Sequence, residues 1–105
     1  MDIDQTGPNI SFMVDGNAAA GILIDIFDRE MTTSQIECAS CGREGEIGGL
    51  LAFMQAPGVV LRCPACENII LRVVQTPNMF YLDLRGAVYL QISPNPVFWK
   101  RNHSI

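Results

Sequence analysis

A chain of 105 residues sits at the size of one compact domain, and with 49% hydrophobic residues and a mean hydropathy of +0.22 it is greasy for that length, where surface per residue is high. Seven Lys and Arg against eleven Asp and Glu give a formal charge of −4, which excludes a generic nucleic-acid surface, because such binding rests on basic side chains neutralising phosphates. The start, MDIDQTGPNISFM, is acidic and polar where a secretory signal needs a basic and then an apolar stretch, and no apolar run reaches the ~20 residues of a membrane span.

Residues 1 to 14 carry Gly7, Pro8 and Asn9 without sustained periodicity, so an irregular leader is expected, ending in a short strand at Ile10 to Val14. Asp15 is a helix cap, and the pattern that follows predicts a helix over Asn17 to Met31. Asp25, Asp28 and Arg29 fall on one side of its wheel. The Asp25 and Asp28 pair is read as a solvated face, not as a catalytic pair. Ala19, Ala20, Ile22, Leu23, Ile24, Ile26, Phe27 and Met31 spread over an arc of roughly 200°, wider than a surface helix needs, and the small residues Ala18 to Gly21 would admit a close backbone neighbour.

Past Thr32 to Ser34, a short segment at Gln35 to Glu37 leads into the first of two cysteine pairs, and Gly48 to Gln55 reads as a strand. Ala56, Pro57 and Gly58 turn the chain back into Val59 to Arg62 and the second pair, and Ile69 to Gln75 leaves it as a β-branched strand. Thr76, Pro77 and Asn78 make the next turn. Met79 to Arg85 alternates Phe80, Leu82 and Leu84 with polar or amphipathic residues, and Val88, Leu90 and Ile92 continue the alternation after Gly86. Pro94 and Pro96 then end regular structure. The organisation expected is a leader at 1–14, one helix-plus-ribbon domain at 15–92 and a tail at 93–105, where Phe98 and Trp99 are a docking element.

Chemistry is concentrated in the cysteines. Cys38 and Cys41 in CASCG and Cys63 and Cys66 in CPACE form two C-x-x-C pairs separated by 21 residues, one beyond the usual upper spacing of a zinc site and room for a strand, a turn and a returning strand. Four thiolates close a tetrahedral ion completely, so the site predicted is one structural zinc per chain on Cys38, Cys41, Cys63 and Cys66. Such a site takes the formal charge to about −6 and needs reduced thiols, which points to the cytoplasm. Gly42 suits the positive φ that ends such a turn, and in the second pair Asn68 is the candidate for that role behind Glu67. Arg43, Arg62 and Arg72 are near enough in sequence to offset the charge.

Iron in a rubredoxin-like site uses the same pairs, and thiolates bind both metals. A dithiol redox motif normally stands alone before a helix, whereas here two copies flank strands. The lone histidine, His103, leaves no Cys-His or Ser-His-Asp set, and Gly45, Gly48 and Gly49 lack the context of a phosphate loop. No enzyme is expected.

The stretches DGNAAAG at 15–21, MT at 31–32, CASCG at 38–42, APGVVLRCPAC at 56–66 and LDLRG at 82–86 resemble a family of small bacterial zinc-ribbon proteins of unknown function, from Val14 to about Leu90. That resemblance implies the same four cysteines as ligands and transfers no activity. The fold expected is α+β, an N-terminal amphipathic helix on a small antiparallel sheet containing the zinc ribbon. The function expected is a non-catalytic protein-interaction module, a homodimer or the companion of another protein. A transcriptional regulator binding nucleic acid through Arg62, Arg72 and Arg85 is the alternative, and an electron carrier the third reading.

Overall fold

The computed structural model describes residues 13–55 and 58–94; the leader before Met13, the Ala56–Pro57 turn and the Phe98, Trp99 tail lie outside them. The chain is α+β, with eight strands in two antiparallel sheets and one short helix among the described residues. The larger sheet has five strands in the order β1 (Met13–Asp15), β4 (Leu51–Gln55), β5 (Gly58–Arg62), β6 (Ile69–Gln75) and β7 (Phe80–Asp83). The smaller has three, β3 (Glu44–Glu46), β2 (Gln35–Cys38) and β8 (Ala87–Leu90). This corrects the single sheet expected from sequence. Strand β3 was not anticipated, because its three residues, Glu-Gly-Glu, have no apolar alternation to read.

Between β1 and β2 the chain makes one 3-10 turn at Gly16–Ala19 and the helix α1 at Ala20–Phe27. Asp15 caps the start as expected, its carboxylate accepting from Asn17 N at 3.1 Å. The helix stops four residues before Met31. Asp28 takes a left-handed φ of 60° and its amide closes on the Ile24 carbonyl at 2.8 Å, while Arg29 Nε donates to the Phe27 carbonyl at 3.1 Å. Met31 is buried all the same, from the loop. The close backbone contact is also displaced from the expected run: Ala18 and Gly21 are exposed, and it is Gly16 whose missing Cβ would fall on the Ile47 carbonyl oxygen.

The core joins the helix to both sheets. Leu23 and Met31 pack with Ile36 of β2, Ile47 and Leu50 of the link between β3 and β4, Leu61 of β5, and Ile70, Leu71 and Val73 of β6. Cys38 and Cys63 are buried in the same cluster, so the thiols belong to the core and are not appended to it. Strands β5 and β6 match the sequence reading closely, but β4 begins only at Leu51, since Ile47–Gly49 forms a second 3-10 turn.

In the last strand the expected phase fails. Ile36 pairs with Leu90 and Glu37 with Tyr89, yet Cys38 pairs with Ala87, so a bulge at Val88 shifts the alternation. Val88 and Ile92 face solvent, while Ala87 and Leu90 pack on the core.

The left-handed Asp28 costs the fold on two counts, the Cβ strain of that conformation and a carboxylate at the negative end of the helix dipole. Asp28→Gly is expected to stabilise the chain by about 1 kcal/mol. Thermal and urea melts of the two proteins check this, and an unchanged or lowered midpoint would contradict it.

Candidate metal centre

Each cysteine pair sits in the turn of a hairpin, the first between β2 and β3 and the second between β5 and β6, and so in different sheets. The two turns are built alike. Cys38 N donates to the Arg43 carbonyl and Cys63 N to the Asn68 carbonyl, both at 2.9 Å. Gly42 N returns to the Cys38 carbonyl at 2.9 Å and Glu67 N to the Cys63 carbonyl at 2.8 Å. The residue after the second cysteine takes positive φ in both, 81° at Gly42 and 67° at Glu67. Glu67 therefore fills the position expected of Asn68, because the backbone hydrogen bonds fix that conformation one residue after the cysteine. Asn68 serves otherwise, its side-chain amide donating to Cys66 Sγ at 3.5 Å.

A bulge lies at the mouth of each turn. Leu61 pairs with Leu71 but Arg62 with Ile69, which leaves Ile70 extra beside the second pair, as Val88 is extra beside the first. Bulged strands bend and twist locally, and here each bulge lies in register with the entry to a cysteine turn.

The four Sγ atoms lie within 4.8 Å of one another. Cys38 Sγ and Cys66 Sγ are 3.7 Å apart, and Cys41 Sγ and Cys63 Sγ 3.6 Å, far beyond the length of a disulfide. Sulfurs held about 2.3 Å from a tetrahedral ion are separated by roughly 3.8 Å, so these pairs fit the edges of such a tetrahedron. The residues predicted as ligands are thus all brought together, with Cys38 and Cys63 buried, Cys66 half-buried and Cys41 exposed.

Donors surround the sulfurs. Ala65 N donates to Cys63 Sγ at 3.4 Å. Burial resists a thiolate at Cys63, but the backbone N–H groups of Cys66 and Ala65, with the Cys41 and Cys66 thiols, outweigh it and bring Cys63 down to about 7. At Cys41 the Arg43 backbone N–H favours the thiolate, yet partial removal from water and the Cys63, Cys66 and Cys38 thiols together push it up to about 11. A metal ion must displace the protons that remain, so its affinity rises with pH.

Of the three arginines expected to offset the charge, Arg62 is well placed. It donates through Nη1 to the Glu67 carbonyl at 2.9 Å and lies 5.4 Å from the Phe53 ring centroid. Arg43 folds over Gly45 beside the first pair. Arg72 is committed elsewhere, in an ion pair with Asp83 at 3.1 Å.

One residue that motif reading passed over as a mere strand break ties the two turns together. Gly86 accepts a hydrogen bond from Ala39 N, inside the first turn, at 2.9 Å, and its Cα lies so close to β6 that a Cβ would overlap the Ile69 carbonyl oxygen and approach Ile70. Its position at the end of LDLRG, in the short link between β7 and β8, was the available signal.

With this geometry in view, comparison with known families is decisive on membership. A family model described as a family of unknown function, DUF6510, matches residues 8–95. The chain belongs to that family. The match is wider at both ends than the Val14 to Leu90 resemblance. No curated protein and no solved structure matches the chain.

Gly86→Ala is expected to destabilise the protein by about 1–3 kcal/mol through the overlap with Ile69, and, by parting the two turns, to weaken by about tenfold or more whatever affinity the cysteine cluster has for added zinc. Chemical denaturation and competition with a zinc-binding dye measure these separately. Gly21→Ala, whose Cβ meets nothing within 4 Å, is the control and should lose neither.

Proposed function

We propose that the chain is a zinc ribbon in which one zinc per chain, held by Cys38, Cys41, Cys63 and Cys66, staples two sheets into a non-catalytic protein-interaction module of the reducing cytoplasm. The observation that carries this reading is the convergence of four sulfurs from two separate sheets within 4.8 Å. Four thiolates complete a tetrahedral shell, so no position remains for water or substrate, and the zinc would supply folding energy and not chemistry. Among the described residues, no other cluster of His, Cys, Asp or Glu comes together as a ligand set.

The charge distribution supports a protein partner over nucleic acid. Of the arginines on which the regulator alternative relies, Arg72 and Arg85 share one carboxylate, Asp83, each at 3.1 Å, which offsets one of their two positive charges. The Arg85 backbone N–H and both guanidinium groups hold the Asp83 carboxyl below its usual range. Glu37, Glu44 and Glu46 share one face of the small sheet, where Tyr89 Oη donates to Glu44 at 3.1 Å, and that face repels polyanions. No helix among the described residues is long and apolar enough to cross a membrane.

Metal analysis of protein purified from its own host is expected to return one zinc per chain, and a red protein carrying iron would replace this reading with the electron carrier. Chelation, or Cys63→Ser, should remove a stabilisation on the order of 10 kcal/mol and leave the ribbon unfolded; circular dichroism with and without chelator checks it. Duplex DNA should show no measurable binding at physiological salt by fluorescence anisotropy. Micromolar, steeply salt-dependent binding would restore the regulator.

A further inference from the structure

The staple proposed above is built of groups that oxidise, and the four thiols are not equally placed to do so. Cys41 is the exposed member, at the tip of the first turn, while Cys38 and Cys63 are buried and Cys66 is half-buried. The surroundings of Cys41 are open. Ala39, Ser40 and Gly42 are exposed, and nothing lies within 4 Å of where a Gly42 Cβ would stand. An oxidant arriving from solvent therefore reaches Cys41 first.

Close sulfur contacts run from one turn to the other. Cys41 Sγ lies 3.6 Å from Cys63 Sγ, and Cys38 Sγ 3.7 Å from Cys66 Sγ. A shift of about 0.8 Å by each sulfur brings either pair to the ~2.05 Å of a disulfide. Stability favours the same connectivity, because a disulfide stabilises a fold more as the loop it closes lengthens. These cross-turn bonds would join residues 22 and 28 apart, against three within a C-x-x-C pair.

We propose that the two turns hold a second, covalent staple in reserve: on reaction with a peroxide, Cys41 bonds to Cys63 and then Cys66 to Cys38, exchanging the metal tie between the sheets for two disulfides without unfolding the domain. The inference rests on the zinc reading for what is exchanged, but not for which sulfurs pair. With hydrogen peroxide the chemistry balances. The Cys41 thiolate attacks one peroxide oxygen, the O–O bond breaks, and the departing hydroxide takes a proton to become water, leaving a sulfenic acid on Cys41. The Cys63 thiolate then attacks that sulfur, the S–O bond breaks, and a second hydroxide leaves and is protonated to water. Two electrons pass from the sulfur pair to the peroxide. A second equivalent repeats both steps at Cys66, the more accessible of the remaining two, and Cys38. Chelation and oxidation thus have opposite outcomes, since one unties the two hairpin tips and the other keeps them tied.

Trypsin reads the pairing directly, because Cys38 and Cys41 fall on peptide 30–43 and Cys63 and Cys66 on peptide 63–72, with 44–62 between them. The full chain, its metal content measured beforehand, is treated with two equivalents of hydrogen peroxide. It should give up its zinc to a zinc-binding dye and keep its circular dichroism in excess chelator. Mass spectrometry should find the two peptides linked, through Cys41–Cys63 and Cys38–Cys66, with Cys41–Cys63 predominant after one equivalent. Dithiothreitol should then abolish the dichroism in chelator, and added zinc in excess of the chelator should restore it. Any other pairing overturns the proposal, most plainly separate peptides each closed within its own C-x-x-C pair. So do sulfonic acids without disulfides, links between chains, or an oxidised chain that unfolds in chelator. A chain that holds no zinc but links the two peptides as expected refutes the metal reading and upholds this one; a zinc-loaded chain that closes each pair on itself does the reverse.

Discussion

Four thiols meeting between two sheets are the constraint on which the rest of this architecture depends. Sulfurs at 3.6 and 3.7 Å without a bond, two of them in the hydrophobic core, make a poor arrangement in the absence of an ion. Thiols repay little hydrogen-bond energy for burial, and thiolates repel one another. A divalent ion converts that cost into the strongest tie available to a chain of this size. The small sheet otherwise holds to the large one through a modest set of side chains, Ile36, Ala87 and Leu90 among them. A domain of 105 residues has little core to spare, and placing the staple inside that core lets one set of contacts serve both sheets.

How much of this was written legibly in the chain differs by element for physical reasons. The four-cysteine cluster and strands β5 and β6 were plain, because C-x-x-C spacing and β-branched runs are local signals. The division into two sheets was not. A 21-residue gap between cysteine pairs reads as one hairpin, and only the insertion of β3, the Ile47–Gly49 turn and β4 between them sends the second pair to another sheet. The helix end was missed because periodicity carries on through Met31, while the backbone breaks at a left-handed Asp28, a conformation Asp tolerates better than most residues but adopts too rarely to announce a helix end. Met31 reaches the core from the loop, so its burial mimics helical phase without being helical.

The phase error at β8 has the same root. Val88, Leu90 and Ile92 alternate properly as a sequence, yet one extra residue opposite β2 exchanges which of them look inward. Bulges leave no compositional mark here, since neither Val88 nor Ile70 is a glycine. What they do leave is a correlation with the cysteines. Both occur within two residues of the point where a strand enters a metal turn, in register if not in sequence. Gly86 shows how closely the chain packs where the two hairpin tips meet.

The two cysteine turns share the pair of backbone hydrogen bonds that closes each of them but differ in how they meet the demand for positive φ, and the difference explains the distribution of polar residues around them. Gly42 adopts 81° without Cβ strain, and nothing lies within 4 Å of where its Cβ would be. Glu67 must adopt 67° with a side chain, at a cost of order 1 kcal/mol or more. The surroundings of the second turn offset it: Arg62 binds the Glu67 carbonyl, Asn68 binds Cys66 Sγ, Ala65 N binds Cys63 Sγ, and Pro64 narrows the unfolded ensemble. Arg62 is itself held over Phe53 of the neighbouring strand, so the conformation of one turn residue is secured by packing on the sheet that carries it. The first turn is the permissive half of the site, with the exposed Cys41, and the second the over-determined half. An ion entering from solvent would meet the preset turn through Cys63, whose thiol gives up its proton more readily than that of Cys41, and complete its shell by drawing in the other.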